Sequence, residues 1–256
     1  MILTDTHTHL YSEQFNDDID AVIQKGIDKG ITRFFLPNID STSIEGMLKL
    51  GTDYPDNCFP MMGLHPTSVG ENYKEELALM QELLNKQDFC AIGEIGIDLY
   101  WDKTFLSQQQ DAFRTQINWA KEQNLPFVIH CRDAFDEIFE ILDDLNDDKM
   151  RGIFHCFTGT IEQANHIINY GGFKIGIGGV VTFKNSGLDK VVEQIDMKHL
   201  VLETDSPYLA PTPHRGKRNE SSYLLGIAEK VADIYNRPIE DVAAVTTENS
   251  KEVFGF

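Results

Sequence analysis

Cysteine is scarce in this chain and unpaired: Cys58, Cys90, Cys131 and Cys156 are the only four, and none falls in a C-x-x-C arrangement. That argues against a disulfide framework or a zinc ribbon and fits reduced cytosolic thiols. No apolar run reaches the ~18 residues a membrane helix needs, so no span is expected. The opening MILTDTHTHL has no basic region ahead of its short apolar run and does not read as a signal peptide. A cytoplasmic location is therefore the expectation. Positive charge is also in deficit, with 22 Lys and Arg against 41 Asp and Glu and a net charge of -19. Such a chain repels polyanions at long range, which argues against a protein that coats DNA or a membrane. It leaves room for an enzyme that meets phosphate through bound cations and a local basic patch. No G-x-G-x-x-G follows the first apolar run, so a dinucleotide-binding fold has no support. Low-complexity segments and long linkers are absent as well. One domain over residues 1–256, favoured as a monomer, is expected.

What is present is alternation. Eight short apolar runs stand at Ile2–Thr6, Ile31–Pro37, Cys58–Leu64, Cys90–Ile97, Phe127–Cys131, Gly152–Phe157, Phe173–Val181 and Leu200–Thr204. Rich in Ile, Val or Phe, or bounded by Gly or Pro, they read as buried parallel strands. The seventh is the least clear, because Gly176, Gly178 and Gly179 weaken it. Helical patterns lie between them: Asp17–Lys29, Ser107–Gln123 with Ser107 as its cap, Ala134–Leu145, Ile161–Tyr170, Leu188–Ile195 and Tyr223–Tyr235. Ile239–Phe256 is expected to add one or two short helices. Strict strand-helix alternation gives a parallel sheet. Eight units in 256 residues favour a closed (β/α)8 TIM barrel over an open sheet.

Histidines and acids fall at one end of this pattern. His7 and His9 end the first strand, His65 the third and His130 the fifth. Glu94 lies in the second half of the fourth, His155 near the end of the sixth, and Glu203 and Asp205 end the eighth. Those C-terminal strand ends are where barrel active sites sit. With period-two alternation, His7 and His9 face the same way with Cα atoms ~6.6 Å apart, close enough to converge on one ion. Glu203 and Asp205 share a face in the same manner. The alternation points Cys131 and Cys156 away from the mouth, as packing groups. An H-x-H alone is a weak signal, and a lone His130 or His155 reads as a hydrogen-bonded core histidine. Several acids and histidines in apolar runs on one face are costly without a cation. Imidazole and carboxylate donors suit zinc, manganese, nickel or iron, whereas magnesium prefers mostly oxygen.

In order along the chain stand Asp5-Thr6-His7-Thr8-His9-Leu10, Gly63-Leu64-His65-Pro66, Gly93-Glu94-Ile95-Gly96-Ile97-Asp98, His130-Cys131-Arg132, His155-Cys156-Phe157-Thr158-Gly159, Glu203-Thr204-Asp205-Ser206-Pro207-Tyr208-Leu209 and Arg215-Gly216-Lys217-Arg218-Asn219-Glu220. Together these segments resemble the TatD family of metal-dependent deoxyribonucleases, among the amidohydrolase-like barrels, over nearly the whole chain. The resemblance implies two divalent cations, Mg²⁺, Mn²⁺ or Zn²⁺. His7, His9 and Asp205 would hold one; Glu94 would bridge to a second held by His130 and His155. Asp205 would also take the proton of the attacking water. His65 and Arg132 would contact the substrate phosphate, and Glu203 would orient a ligand or the water. Where the family has proline after the final Asn-Glu, this chain has Ser221, which can cap the following helix.

Arg215, Lys217 and Arg218 form the most basic stretch, read either as a solvated loop or as a phosphate grip beside the eighth strand. Tyr100, Trp101, Phe157 and Tyr208 lie beside the mouth, as rim packing or as surfaces for a base. The acidic run Asp143–Asp148 reads as a solvated helix end, lacking the glycine and terminal glutamate of a calcium loop. The implied activity is hydrolysis of phosphodiesters in DNA, with RNA as a further substrate, from a 3′ end. Two other functions fit a metal site: an amidohydrolase-like enzyme acting on an ester or amide, such as aminoacyl-tRNA or a lactone, and an inactive metal-dependent binding protein. Many such hydrolases bridge their ions with a carboxylated lysine, and here Glu94 has no lysine near it.

Overall fold

The computed structural model describes Met1–Phe256, and its strands are β1 (Leu3–Asp5), β2 (Ile31–Pro37), β3 (Cys58–Met61), β4 (Ile92–Asp98), β5 (Phe127–Arg132), β6 (Gly152–Phe154), β7 (Phe173–Ile177) and β8 (Leu200–Leu202). All pair in parallel, β1-β2-β3 in one ladder and β4 through β8 in another. Isolated bridges between Met62 and Ile92 and between Thr8 and Ser206 join the two ladders at both seams. At those seams Gly93 N–H donates to Met62 O at 3.0 Å and His9 N–H to Ser206 O at 2.7 Å. Closure removes every sheet edge, and the (β/α)8 barrel read from the alternation is the architecture observed.

The helices are α1 (Ile19–Asp28), α2 (Ile44–Asp53), α3 (Tyr73–Leu84), α4 (Leu106–Gln123), α5 (Phe135–Leu145), α6 (Ile161–Asn169), α7 (Leu188–Val192), α8 (Leu224–Tyr235) and α9 (Ile239–Phe254). Each outer helix buries a stripe at helical spacing, as α5 does with Ile138, Phe139, Ile141 and Leu142. Apolar periodicity did not single out α2 and α3. The first carries Gly46 and Gly51, and the second interleaves its buried Leu77, Met80 and Leu84 with acids. Ser107 lies inside α4 rather than capping it, and the C-terminal segment, expected as one or two short helices, is a single helix, α9, of 16 residues. In the acidic run, Arg114 pairs with Asp144 and Lys121 with Asp147, so it ties α4 to the end of α5.

α6 starts with a full capping box: Thr160 accepts from Gln163 N–H while the Gln163 side chain accepts from Thr160 N–H. Two first-turn N–H groups are satisfied reciprocally. Thr160→Ala is expected to lower stability by ~1 kcal/mol, read as a shift of the urea midpoint at constant slope.

Two cores result. The larger fills the annulus between strands and helices; the smaller comprises Phe35, Met61, Ala91, Val128, Ile153, Val201 and Val253. Six of those seven come from β2 through β6 and β8 or the residue just before β4, and Val253 comes from α9. This is a layer inside the barrel. Two residues further along the same face stand His130 after Val128, His155 after Ile153 and Glu203 after Val201. The apolar layer is thus the floor beneath the polar cluster, whose members stand at the ends of the same strands or just beyond them.

Candidate metal centre

Glu94 lies at the centre of the polar cluster, buried, and its two oxygens serve different histidines. Oε2 is 3.1 Å from His7 Nε2 and 3.5 Å from His9 Nε2. Oε1 is 2.8 Å from His130 Nδ1, 3.2 Å from His155 Nε2 and 3.4 Å from His65 Nε2. Asp205 Oδ1 stands on the His7 and His9 side, 3.9 Å and 3.7 Å from their Nε2 atoms. The structure therefore brings together His7, His9, Glu94, His130, His155 and Asp205, with His65 beside them. Glu203 sits one step further out.

The rings are held from behind. His155 Nδ1 meets Glu203 Oε1 at 3.0 Å, and the same oxygen accepts from Cys156 N–H. His130 Nε2 meets Asp98 Oδ2 at 2.9 Å, and His9 Nδ1 meets the Tyr11 hydroxyl at 2.8 Å. Tyr11 donates onward to Pro37 O. Such partners fix ring orientation and tautomer. His7 is set instead by packing, its ring stacked on His155 at 3.6 Å. The loops are clamped by α4: the Gln116 amide bonds both N–H and C=O of Leu64, next to His65, and the Gln109 amide bonds both backbone groups of Asp98. Gly176 leaves room for Glu203, whose Oε2 would lie 2.4 Å from any added Cβ.

Asp98 and Tyr11 were not assigned roles from the sequence. Asp98 had a signal: Glu94, Gly96 and Asp98 alternate along β4, so Asp98 shares the Glu94 face. Tyr11 lies in the irregular segment after His9, where no periodicity applies.

Burial opposes the Glu94 charge, but His65, His7 and His155 around it and the hydrogen bond from His130 hold its carboxyl well below the usual range. Burial, reinforced by His155, holds the His7 pKa well below its ordinary value, so the ring is neutral, the form that ligates a cation. For His155 burial pulls down, yet Glu203 and Glu94 outweigh it and raise the pKa well above normal. Burial pushes Asp205 up to about 6, against His155 and His9. A divalent cation fits this balance. Its donors are imidazole nitrogens and carboxylate oxygens, and it would take the place of the proton His155 otherwise carries. The Nε2 atoms of His7 and His9, 3.3 Å apart, also aim at one carboxylate oxygen, as two ligands converging on one ion do. Four groups of three donors lie with ligand atoms within 4.8 Å of one another: His7-His9-Glu94, His7-His155-Glu203, His65-Glu94-His130 and His155-Cys156-Asp205.

The cluster opens into a cavity of ≈ 660 Å³, whose wall includes Arg132, Trp101, Tyr208 and Thr158. Several expectations need correction here. Cys156 lines this cavity instead of facing away, whereas Cys131, inside β5, borders the cavity and packs against the larger core as expected. β6 ends at Phe154, and Cys156 has φ 46, so strand alternation no longer governs the Cys156 side chain. Likewise β1 ends at Asp5, β3 at Met61 and β8 at Leu202, which puts His7, His9, His65, Glu203 and Asp205 beyond the strand ends, Asp205 with φ 56. Phe157 is buried against Phe135 and is not on the rim. Ser221 caps no helix; it is buried, with its hydroxyl 3.4 Å from Thr8 Oγ1. None of Arg215, Lys217 and Arg218 is on the cavity wall. Arg218 forms a bidentate pair with Asp18 at 2.7 Å for both bonds, and the Arg215 guanidinium lies 3.7 Å over the Phe183 ring.

A family model described as TatD related DNase matches residues 4–255. The chain belongs to the TatD family. It is similar to an uncharacterized metal-dependent hydrolase, YabD, of Bacillus subtilis (strain 168), 39% identical over 254 residues and 99% of both chains. It is also similar to the 3'-5' ssDNA/RNA exonuclease TatD of Pantoea ananatis (strain LMG 20103), 30% identical over 258 residues, covering 98% of this chain and 99% of that one. Among solved structures, the TatD homologue YJJV of Escherichia coli k12 superposes with a TM-score of 0.93 at 26% identity, covering 99% of this chain and 98% of the other. This TatD-family chain is a metal-dependent hydrolase on a (β/α)8 barrel. No helix in it is long and apolar enough to cross a membrane.

Proposed function

We propose that this TatD-family hydrolase removes nucleotides from the 3′ end of single-stranded DNA, and of RNA, within one domain spanning residues 1–256. The observation that carries the reading is the division of Glu94: Oε2 faces His7 and His9 while Oε1 faces His130 and His155, the arrangement of a carboxylate shared by two cations. His7, His9 and Asp205 would hold one ion, His130 and His155 the other, with Glu94 between them. When bound, divalent ions supply Lewis acidity toward a phosphoryl oxygen and acidify water.

The chain's own residues do the rest. Asp205, on the His7 and His9 side of Glu94, is placed to accept a proton from the attacking water. His65 and Arg132, on the cavity wall, contact the phosphate. Glu203 holds the His155 ring through Nδ1 and keeps the imidazole aimed at Glu94. The recess suits a strand terminus, since an end enters where a duplex interior has to be deformed or flipped. The named relative at 30% identity supports the polarity and the substrate.

End-labelled oligonucleotides incubated with Mg²⁺ or Mn²⁺ test this. Mononucleotides released from 3′ ends are expected, faster from single strands than from duplex. Turnover of esters or amides with no oligonucleotide cleavage would defeat the proposal.

A further inference from the structure

Trp101 is 74% exposed and Tyr100 52%, on the loop after β4. Their rings meet edge to face at 4.8 Å. The Arg132 guanidinium lies 3.7 Å over the Tyr100 ring and 5.6 Å from the Trp101 centroid. Two backbone bonds secure the loop: Leu99 N–H donates to Arg132 O at 2.9 Å and Tyr100 N–H to Asp98 Oδ1 at 3.0 Å. Asp98 is the same carboxylate that holds His130. A large aromatic surface left in water, yet braced by a cation and tied to the metal centre, is a surface built to be covered.

Trp101 also stands on a shared wall. It lines the ≈ 660 Å³ cavity over the metal cluster and a second recess of ≈ 230 Å³ next to it. Pro66, Val69 and Phe105 give the smaller recess an apolar lining, and Asp98 and Asp102 add carboxylates. Acid repels a phosphate. An indole face, a few apolar side chains and hydrogen-bond acceptors suit a flat, neutral, amino-bearing ring. Arg132 lines the larger cavity together with the histidines, and its guanidinium is 5.6 Å from the Trp101 ring that the two recesses share, within reach of a linking phosphate.

We propose that Trp101 and the recess beside it form a nucleobase subsite, in which a base of the strand under attack stacks on the indole while its phosphate passes Arg132. The proposal rests on the nuclease reading above and adds what that reading leaves open: recognition of a base, not only of a strand end. Stacking on an aromatic side chain is tolerant of sequence, so the subsite gives affinity and registration without selecting one base.

The test is a set of labelled single strands carrying one abasic nucleotide at each of the three 3′-terminal positions in turn, cleaved by the wild-type enzyme and by Trp101→Ala. Wild type is expected to lose on the order of tenfold in kcat/KM when the missing base is the one that stacks. Trp101→Ala is expected to lose a similar factor on the intact strand and to show no further loss at that position. Trp101→Phe, which keeps a ring, should retain most of the discrimination. Binding gives a second readout, because the only other tryptophan, Trp119, is 6% exposed. A phosphorothioate strand added with the divalent ion should quench wild-type fluorescence and leave Trp101→Phe nearly unchanged. An abasic penalty equal in wild type and Trp101→Ala, or none in wild type, overturns the subsite and leaves the nuclease reading standing. Release of no nucleotide from any strand by wild type overturns both.

Discussion

Glu94→Gln should lower kcat/KM on single-stranded DNA by about a thousandfold or more while the protein stays folded. The variant keeps side-chain volume and replaces one oxygen by an N–H2 group. In the native arrangement both Glu94 oxygens are in use, Oε2 toward His7 and His9 and Oε1 toward His130, His155 and His65. Whichever way the amide turns, one set of imidazoles faces a donor where it had an acceptor, and the bridging charge is gone. Several kcal/mol of transition-state stabilisation are associated with such centres, and each 1.36 kcal/mol is tenfold in rate. Bound metal measured by elemental analysis should fall with the activity, which separates loss of the centre from loss of substrate contact. Activity within tenfold of wild type, with full metal content, would remove Glu94 from the role assigned to it.

Stripping the metal should change stability and substrate affinity together. Glu94, Glu203 and Asp205 lie within a buried set whose histidines partly offset their charge. Removing cations leaves proton binding at His155 as the remaining compensation. Returning the ion at a hundred times its dissociation constant is worth ~2.7 kcal/mol, roughly 5–10 °C in Tm for a chain of this size. Affinity for a strand should fall to micromolar or weaker in chelator at physiological salt. The reason is the net charge of -19 and a cavity wall on which Arg132 is the one Lys or Arg. A nanomolar constant in EDTA would show that the chain grips nucleic acid by a surface other than this cavity. A Tm indifferent to chelator would show that the cluster holds no structural share of the ion.

The two predictions draw on different levels of the molecule. Those His and Glu residues are visible in the sequence, but the separate service of the two Glu94 oxygens is not, because it depends on the distance across a closed barrel. The same holds for Asp98. Its place on the Glu94 face is implied by spacing along β4, yet its partner is a histidine 32 positions away that only the β4–β5 pairing brings within reach.

By itself the sequence determined the barrel, from eight apolar runs alternating with helical patterns, and it singled out a candidate ligand set, from histidines and acids near the ends of those runs. Both follow from local periodicity, a property each short segment carries alone. Tertiary structure decided what happens where periodicity stops. Beyond Phe154 and Leu202 the ladder ends, and Cys156 and Asp205 take left-handed backbone conformations, so a thiol expected under the helices lines the cavity instead. Arg218, basic and free in the sequence, is held by Asp18 200 residues away. Trp101 could be read from the sequence as rim packing or as a surface for a base, and the Arg132 guanidinium from β5 beside its exposed ring is a contact that only the fold supplies. Residues far apart in the chain interact only after closure fixes which strands are neighbours, and no segment encodes that on its own.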